Sequence, residues 1–284
     1  MTILDGVRAL REWRRSIPTS DAVGLVPTMG ALHEGHLSLM RRARAECDHV
    51  CVSVFVNPTQ FGPGEDLDSY PRDREGDAAL AAEAGADIVW FARADEVYPP
   101  GFATRVTLPA LGERLCGIER PRHFPGVALI VLKLFHLFTP TRAYFGEKDY
   151  QQFVLVSQMV RDLDLELTVV PCPIEREESG LARSSRNVGL SEAGRAAAAR
   201  LSQGLFRAQE ACAKGVVDAT ELIAIALEPL DDRKIALEYL ELVDRESLEP
   251  LEAVDPLRGA RLLVAARVEK VRLIDNVPLG EAGA

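Results

Sequence analysis

The stretch 50–56 (VCVSVFV) most constrains the fold, because it is a continuous, largely β-branched apolar run followed directly by the turn-forming Asn57-Pro58. A strand with one face in water alternates apolar and polar side chains, whereas nearly every position of this run suits burial. Strands buried on both faces are typical of parallel sheets that carry helices on both sides. The run therefore predicts a parallel sheet in the N-terminal part of the chain.

Short apolar runs and amphipathic stretches alternate through residues 22–171. The predicted strands lie at 22–26, 50–56, 88–91, 143–145 and 167–170. The predicted helices lie at 33–46, 78–84, 127–138 and 150–163. This alternation predicts an α/β domain, and ligands of such sheets bind beyond the carboxyl ends of the strands.

The pattern changes after Pro171-Cys172-Pro173. A charged, turn-prone segment at 175–180 precedes predicted helices at 191–212 and 219–227. Three strand-like runs follow, at 235–243, 261–268 and 271–274. Two helices followed by three strands favour a small α+β domain.

Charge and composition limit the classes of protein to consider. The 284 residues include 33 basic and 43 acidic side chains, a formal charge of −10, which argues against non-specific nucleic-acid binding but allows a local basic pocket. The longest apolar stretch, 126–138, is too short to span a bilayer, and charged residues near the N-terminus argue against a signal peptide. We therefore expect a cytoplasmic protein without membrane or nucleic-acid partners.

The five cysteines form no Cys-x-x-Cys pair, and an odd number does not indicate a disulfide framework. Cys47 and Cys51 flank His49 closely enough to suggest a metal site. Their setting, where a helix end runs into an apolar strand, favours buried thiols instead.

Two histidines follow the first predicted strand in PTMGALHEGH, residues 27–36. On a helix, His33 and His36 share a face, and Gly35 allows a phosphate to approach the backbone closely. We expect free N–H groups and a partial positive charge at this helix start, where two imidazoles would stabilise charge during phosphoryl or nucleotidyl transfer. A capped helix with two surface histidines is the alternative, and zinc lacks an obvious third ligand nearby.

Two further candidate segments also begin where a predicted strand ends. Asn57 and Gln60 follow the second strand, and Gln60 donates and accepts hydrogen bonds without carrying a charge. Lys148, Asp149 and Gln152 follow the strand at 143–145, and the lysine suits a polyphosphate. A solvated Pro/Gly turn and a plain helix-capping turn remain the respective alternatives.

The fourth candidate segment, Arg183-Ser184-Ser185-Arg186-Asn187, lies at the predicted domain junction. Hydroxyl groups between guanidinium groups suit an anion such as pyrophosphate, although a surface loop could carry the same residues. Taken together, the four segments predict a polyphosphate site and nucleotidyl transfer.

The chain resembles the pantothenate synthetase (pantoate–β-alanine ligase) family. The motifs that carry the resemblance are VPTMGALHEGHLSL, VSVFVNPTQF, RPRHFPGVA, FGEKDYQQ, SSRN and LLVAARV…RLIDN, in this order and over nearly the whole chain. The resemblance implies a Rossmann-like ATP- and pantoate-binding catalytic domain over residues 1–174. It also implies a smaller α+β domain over 175–284 that closes over the site, and a homodimer. The implied activity is condensation of pantoate with β-alanine through pantoyl adenylate, with ATP as substrate and Mg²⁺ as cofactor.

The resemblance also implies roles for individual residues. It makes His36 the catalytic histidine, and the chemistry of the residues adds His33, Lys148 and Arg186 as groups that stabilise charge during catalysis. It assigns ATP contacts to Met29, Gly30, Ala31, Leu32, His33, Glu34, Gly35, His36, Gly146, Glu147, Lys148, Asp149, Glu175, Arg183, Ser184, Ser185 and Arg186. Contacts with the other two substrates fall to Gln60, Gln152, Asn57 and Arg120. The metal ligands stay unassigned.

Three positions depart from the family pattern. The family usually has an apolar residue at Arg183, often valine at Glu175, and usually glycine at Arg122. None of these departures removes a side chain to which catalysis is assigned. Two competing functions are a nucleotidylyltransferase, which would release pyrophosphate but never AMP, and a nucleotide-sensing module without turnover.

Overall fold

The computed structural model describes residues 1–280. The strands are β1 (Thr2–Asp5), β2 (Val23–Thr28), β3 (His49–Val54), β4 (Ile88–Phe91), β5 (Arg142–Gly146), β6 (Thr168–Cys172), β7 (Ile235–Val243), β8 (Ala260–Val268) and β9 (Val271–Leu279). The helices are α1 (Gly6–Ser16), α2 (Glu34–Glu46), α3 (Arg74–Glu83), α4 (Ala94–Val97), α5 (Pro109–Gly112), α6 (Cys116–Glu119), α7 (His123–Phe138), α8 (Tyr150–Asp162), α9 (Glu192–Ala213) and α10 (Ala219–Leu227).

The chain divides into two compact units. The N-terminal unit comprises Met1–Glu147 and Leu155–Pro173. The C-terminal unit comprises Lys148–Val154 and the chain from Ile174 onward. The segment 148–154, which includes the first turn of α8, therefore groups with the C-terminal unit although it follows β5 directly.

The N-terminal unit is built on a parallel six-stranded sheet in the order β1-β4-β3-β2-β5-β6. The predicted α/β fold with a parallel sheet is therefore confirmed. From β2 the chain first adds β3 and β4 on one side and later β5 and β6 on the other. The strand order thus reverses between β2 and β5, and the crevice at such a reversal is where open α/β sheets bind ligands.

Strand β1 and helix α1 are absent from the sequence-based prediction, which begins at residue 22. Strand β1 has only four residues and lies at the sheet edge beside β4, with mostly exposed side chains. It therefore lacks the apolar run that marks β3. Helix α1 is highly charged and buries little of its surface, with Leu10 as its fully buried side chain.

Helix α7 is the most apolar helix of the N-terminal unit. It begins at His123, earlier than predicted, and most of its side chains are buried. A helix that is apolar on nearly all sides is typical of a position inside a protein core. No helix within residues 1–280 is long and apolar enough to cross a membrane. Cys47 and Cys51 are buried, as expected, and so are Cys116, Cys172 and Cys212.

The C-terminal unit packs α9 and α10 with an antiparallel three-stranded sheet, β7-β8-β9. Its core includes Leu205, Leu222 and Leu262. Helix α9 begins after Ser191, whose Oγ accepts a hydrogen bond from Gly194 N at 3.0 Å. Strand β9 extends to Leu279 rather than ending at residue 274, since an edge strand tolerates Pro278. The predicted α+β arrangement is confirmed.

Candidate active site

The histidine turn (residues 28–36) leads from the end of β2 into α2, and its two imidazoles cap that helix. His33 Nδ1 accepts a hydrogen bond from Gly35 N at 3.2 Å, and His36 Nδ1 accepts one from His33 N at 3.3 Å. The ring centroids are 4.2 Å apart. This reciprocal arrangement is a capping box in which imidazoles replace the usual hydroxyl and carboxylate.

The capping bonds determine which ring nitrogen carries the proton. A ring nitrogen that accepts a hydrogen bond is unprotonated, so the neutral imidazoles of His33 and His36 both carry their proton on Nε2. Each ring is thereby prepared as an Nε2–H donor, which is the polarity that a phosphate oxygen requires.

The expectation of free backbone N–H groups at the start of α2 is wrong for Gly35 and His36. Gly35 N is used by the His33 ring, and His36 N donates to the carbonyl oxygen of His33 at 2.7 Å. Because these two backbone N–H groups donate within the helix cap, we expect the imidazole side chains to be the hydrogen-bond donors of this turn toward a ligand.

The backbone of residues 30–32, ahead of His33, is held by two side chains that accept its N–H groups. Gly30 N donates to Thr28 Oγ1 at 3.2 Å, while Ala31 N and Leu32 N donate to the Asp77 carboxylate at 3.1 and 2.7 Å. Asp77 is buried in the first turn of α3, and burial raises the pKa of its carboxyl group, against the opposing effect of the two amide bonds. The turn is therefore rigidly defined by internal hydrogen bonds.

Asn57 and Gln60 follow β3 and form one hydrogen-bonded pair. Asn57 Nδ2 donates to Gln60 Oε1 at 3.0 Å, and Tyr98 and Thr59 hydroxyls donate to Asn57 Oδ1 at 2.8 and 2.9 Å. Gln60 Nε2 then lies 3.1 Å from Met29 Sδ of the histidine turn. The pair orients Gln60 so that its amide nitrogen, a donor, faces the end of β2.

This Asn57–Gln60 turn rests on the first turns of α7 at Gly126. A Cβ at Gly126 would lie 2.5 Å from both Thr59 O and Gln60 N, so only glycine permits this approach. Asn57 Nδ2 also donates to Gly126 O at 3.1 Å. The glycine of the motif RPRHFPGVA is thus a packing requirement of the adjacent turn.

Arg120 forms a two-pronged ion pair with Glu65, with N–O distances of 3.0 and 2.6 Å. The side chains are 14% and 24% exposed. Burial alone would raise the pKa of Glu65, but the hydrogen bonds and charge of Arg120 outweigh it and leave that pKa below its ordinary value. Arg120, predicted to face substrate, is therefore paired within the protein.

In the C-terminal unit, the segment after β5 carries Lys148, Asp149 and Gln152. Lys148 Nζ lies 3.6 Å from Asp149 Oδ2, and Asn276 Nδ2 of β9 donates to Lys148 O at 3.2 Å. The Gln152 side chain is half-buried. Gly146 and Glu147, also predicted to contact ATP, belong to the N-terminal unit, at the end of β5.

The serine–arginine turn (residues 183–187) is organised by a buried amide. Asn187 Nδ2 donates to Ala182 O and Glu177 Oε1, both at 3.1 Å, and Glu177 also pairs with Arg195. Ser184 Oγ accepts from Arg186 N at 3.3 Å and caps the short helical turn. The backbone of the serine–arginine turn is therefore held in place by the side chain of Asn187, its last residue.

The three departures from the family pattern fit their surroundings. Arg183 N donates to Glu175 O at 2.9 Å, so these two positions meet through their backbones, and both side chains are half-buried. Arg122 is exposed and has a φ of −90°, which any residue adopts. The local backbone thus imposes no demand for valine at 175 or glycine at 122.

Two residues with clear structural roles in these turns, Asp77 and Tyr98, carry no signal in the sequence. Each lies more than 40 residues from its partner along the chain and belongs to no local motif. The pairing of neighbouring strands brings the ends of β2, β3 and β4 to one level. It is this pairing that brings Asp77 and Tyr98 next to the turns that follow β2 and β3.

Comparison with known proteins identifies the family. The family model described as Pantoate-beta-alanine ligase matches residues 2–278. The curated pantothenate synthetases of Thermotoga neapolitana and Chloroflexus aggregans are 47% and 49% identical to this chain, over 99% and 95% of it and 100% and 98% of their own lengths.

Solved structures agree with this assignment. A crystal structure of pantothenate synthetase from Thermus thermophilus has a TM-score of 0.92 and 47% identity, covering 98% of this chain and 99% of that one. That of pantoate-beta-alanine ligase from Francisella tularensis, complexed with Beta-gamma ATP and Beta-alanine, has a TM-score of 0.81 and 34% identity, covering 100% and 99%. The resemblance carried by the motifs is confirmed, and the chain belongs to the pantoate–β-alanine ligase family.

Proposed function

We propose that this protein condenses (R)-pantoate with β-alanine in an ATP-dependent reaction, through a pantoyl-adenylate intermediate, and releases AMP and pyrophosphate. Membership of the family supports the reaction as a whole. The structural observation that carries the proposal is the histidine turn, where the capping bonds leave both imidazoles as Nε2–H donors beside the strand-order reversal.

In the first step, a carboxylate oxygen of pantoate forms a bond to the α-phosphorus of ATP while the bond to pyrophosphate breaks. This displacement needs alignment and neutralisation of charge more than a protein nucleophile. We assign the neutralisation to His33, His36, Lys148 and Arg186. The remaining ATP contacts predicted from the sequence belong to the same proposal.

In the second step, the amine of β-alanine attacks the activated carbonyl carbon and AMP leaves. Gln60 presents an amide N–H to the substrate, since Asn57 holds its oxygen. A neutral donor orients the pantoate carboxylate without pairing it to a cation, which preserves its nucleophilicity. We assign Gln152, Asn57 and Arg120 to the same substrate, with the guanidinium of Arg120 held by Glu65.

The family implies a Mg²⁺ ion, and we propose that this ion enters the site together with ATP. Within residues 1–280 there is no cluster of three or more potential metal-ligating side chains. Mg²⁺ commonly binds through one or two carboxylates together with substrate phosphates, and Asp149, one of the proposed ATP contacts, has a half-exposed carboxylate. Bound there, Mg²⁺ would neutralise phosphate charge.

We further propose a cytoplasmic homodimer with the C-terminal domain, residues 175–284, closing over the site.

A product assay tests the proposed function. With ATP, pantoate and β-alanine present, the purified protein should form AMP, pyrophosphate and pantothenate in equal amounts. Pyrophosphate release without AMP would favour a nucleotidylyltransferase, and binding of ATP without any product would favour a sensing module. Omitting β-alanine should abolish AMP release, because the second step then lacks its nucleophile.

A further inference from the structure

We propose that Asp77 is a positioning residue for the histidine turn: its buried carboxylate holds residues 30–32 in the conformation that aims His33 and His36 at the nucleotide, without contacting the nucleotide itself. The inference rests on the proposed function, since it concerns the same ATP-binding turn.

The first support is the strain that Asp77 offsets. Gly30 and Ala31 have φ values of +86° and +51°, two successive left-handed residues of which the second is not glycine. For a residue with a side chain such a conformation is strained, and it persists only where neighbours impose it. The two carboxylate oxygens of Asp77 accept the N–H groups of Ala31, which is the strained residue, and of Leu32, which follows it.

The second support is steric. A Cβ at Gly30 would lie 2.7 Å from Asp77 Oδ2 and 3.1 Å from Val54 Cγ1. The carboxylate therefore fills the space directly beneath the turn, and glycine at position 30 is what allows it to do so. Asp77 itself is only 3% exposed.

A carboxylate on two backbone amides could instead occupy the place of an ATP phosphate and leave when ATP binds. The packing of α3 argues against this. Ala78 and Ala81, next to Asp77 on α3, are buried in the core of the N-terminal unit. Helix α3 is thus fixed in the core, and the Asp77 carboxylate is itself buried with both oxygens engaged by Ala31 N and Leu32 N, so Asp77 acts as a support under the turn.

The test compares Asp77→Ala and the nearly isosteric Asp77→Asn with a matched control, Asp73→Ala. Asp73 caps the same helix α3 by accepting a hydrogen bond from Gly76 N at 2.9 Å, whereas Asp77 accepts from the turn, and Asp73 is exposed. The control therefore reports what loss of helix stability alone does.

Two readouts separate this inference from the proposed function. Amide hydrogen exchange at Ala31 and Leu32 reports the hydrogen bonds whether or not the protein is active. Pantoate-dependent exchange of pyrophosphate into ATP reports the activation step. We expect Asp77→Ala to lose protection at both amides and at least tenfold in exchange rate, with the apparent affinity for pantoate changed less than threefold. Asp77→Asn should retain one acceptor and lose protection at one amide, and Asp73→Ala should retain both protection and rate.

Three results would overturn the positioning role: unchanged protection in folded Asp77→Asn, an equal loss in Asp73→Ala, or tighter ATP binding in either Asp77 variant. The last would identify the carboxylate as a competitor of phosphate. If the unmodified protein showed no pyrophosphate exchange, the proposed function would fail, while the amide protection would still decide the structural role of Asp77.

Discussion

The histidine turn and the serine–arginine turn are both assigned to ATP, but they are built differently. In the histidine turn the ligand groups are short imidazoles, and each ring is fixed by a backbone N–H that it accepts. In the serine–arginine turn the backbone is fixed by Asn187, while the ligand group of Arg186 is a guanidinium on a long side chain.

The difference indicates that the two turns have different roles in the reaction. A rigid donor with a defined proton position can stabilise charge that develops in the transition state, because it needs no reorganisation as the reaction proceeds. A permanent cation on a longer side chain attracts phosphate in the ground state as well. We therefore expect the histidine turn to govern turnover and the serine–arginine turn to govern ATP affinity.

The largest expected effect is that of His36→Ala on turnover. Loss of one preorganised donor typically lowers turnover by about 100- to 1,000-fold, and the capping bond to His33 N is lost as well. Single-turnover formation of pantoyl adenylate at saturating ATP measures this effect. The control is His136→Ala at an exposed position of α7, which should retain the normal rate. A normal rate in folded His36→Ala would remove that residue from the chemical step.

Arg186→Met should produce the complementary result. We expect the KM for ATP to rise by roughly tenfold or more, since a charge-assisted hydrogen bond contributes about 1.5–3 kcal/mol, with a smaller change in kcat. The rise should be largest at low salt and shrink as salt screens the interaction. Initial rates at several ATP and salt concentrations measure it. A loss confined to kcat would contradict the division between the two turns.

The Arg120–Glu65 ion pair tests what an arginine contributes to folding rather than to ATP binding. Because the folded-state pKa of Glu65 lies below its ordinary value, the Arg120–Glu65 pair stabilises the fold above the unfolded-state pKa, and that stability is lost as the pH falls through the folded-state value. Glu65→Gln should therefore lower the free energy of unfolding by about 1 kcal/mol at neutral pH and progressively less in acid. Denaturant unfolding from neutral pH into the acidic range measures this. An equal difference at every pH would mean that the pair contributes no charge interaction.

The smallest expected effect is that of Arg183→Met. Arg183 meets Glu175 through its backbone, and long arginine side chains readily extend their charge into solvent. The KM for ATP should change less than threefold, about 0.65 kcal/mol on the scale of 1.4 kcal/mol per tenfold. A tenfold rise with Ser184 and Arg186 unchanged would instead make Arg183 a phosphate ligand and give this turn two cations.

The sequence predicts those parts of the molecule whose signals lie within a short, contiguous stretch of residues. Strand β3 was recognisable from its apolar run, and the α9 cap from Ser191. Strand β1 and the extension of β9 to Leu279 were missed because both are edge strands, where apolar patterning is weak and proline is tolerated.

The same distinction applies to the candidate site. The histidines and Gln60 stand in contiguous motifs, so the sequence could nominate them. Asp77 and Tyr98 are selected by the order of strands in the sheet, which brings remote segments together. The sequence also could not show that the amides of the histidine turn are used internally, because that depends on the side chain of Asp77.

Exchange of labelled pyrophosphate into ATP, measured with pantoate but without β-alanine, tests the activation step most directly. We predict exchange at a rate comparable to turnover, and its loss by about 100-fold or more in His36→Ala at saturating ATP. Exchange that strictly required β-alanine, or that persisted at the normal rate without the His36 imidazole, would contradict formation of an acyl adenylate at the histidine turn.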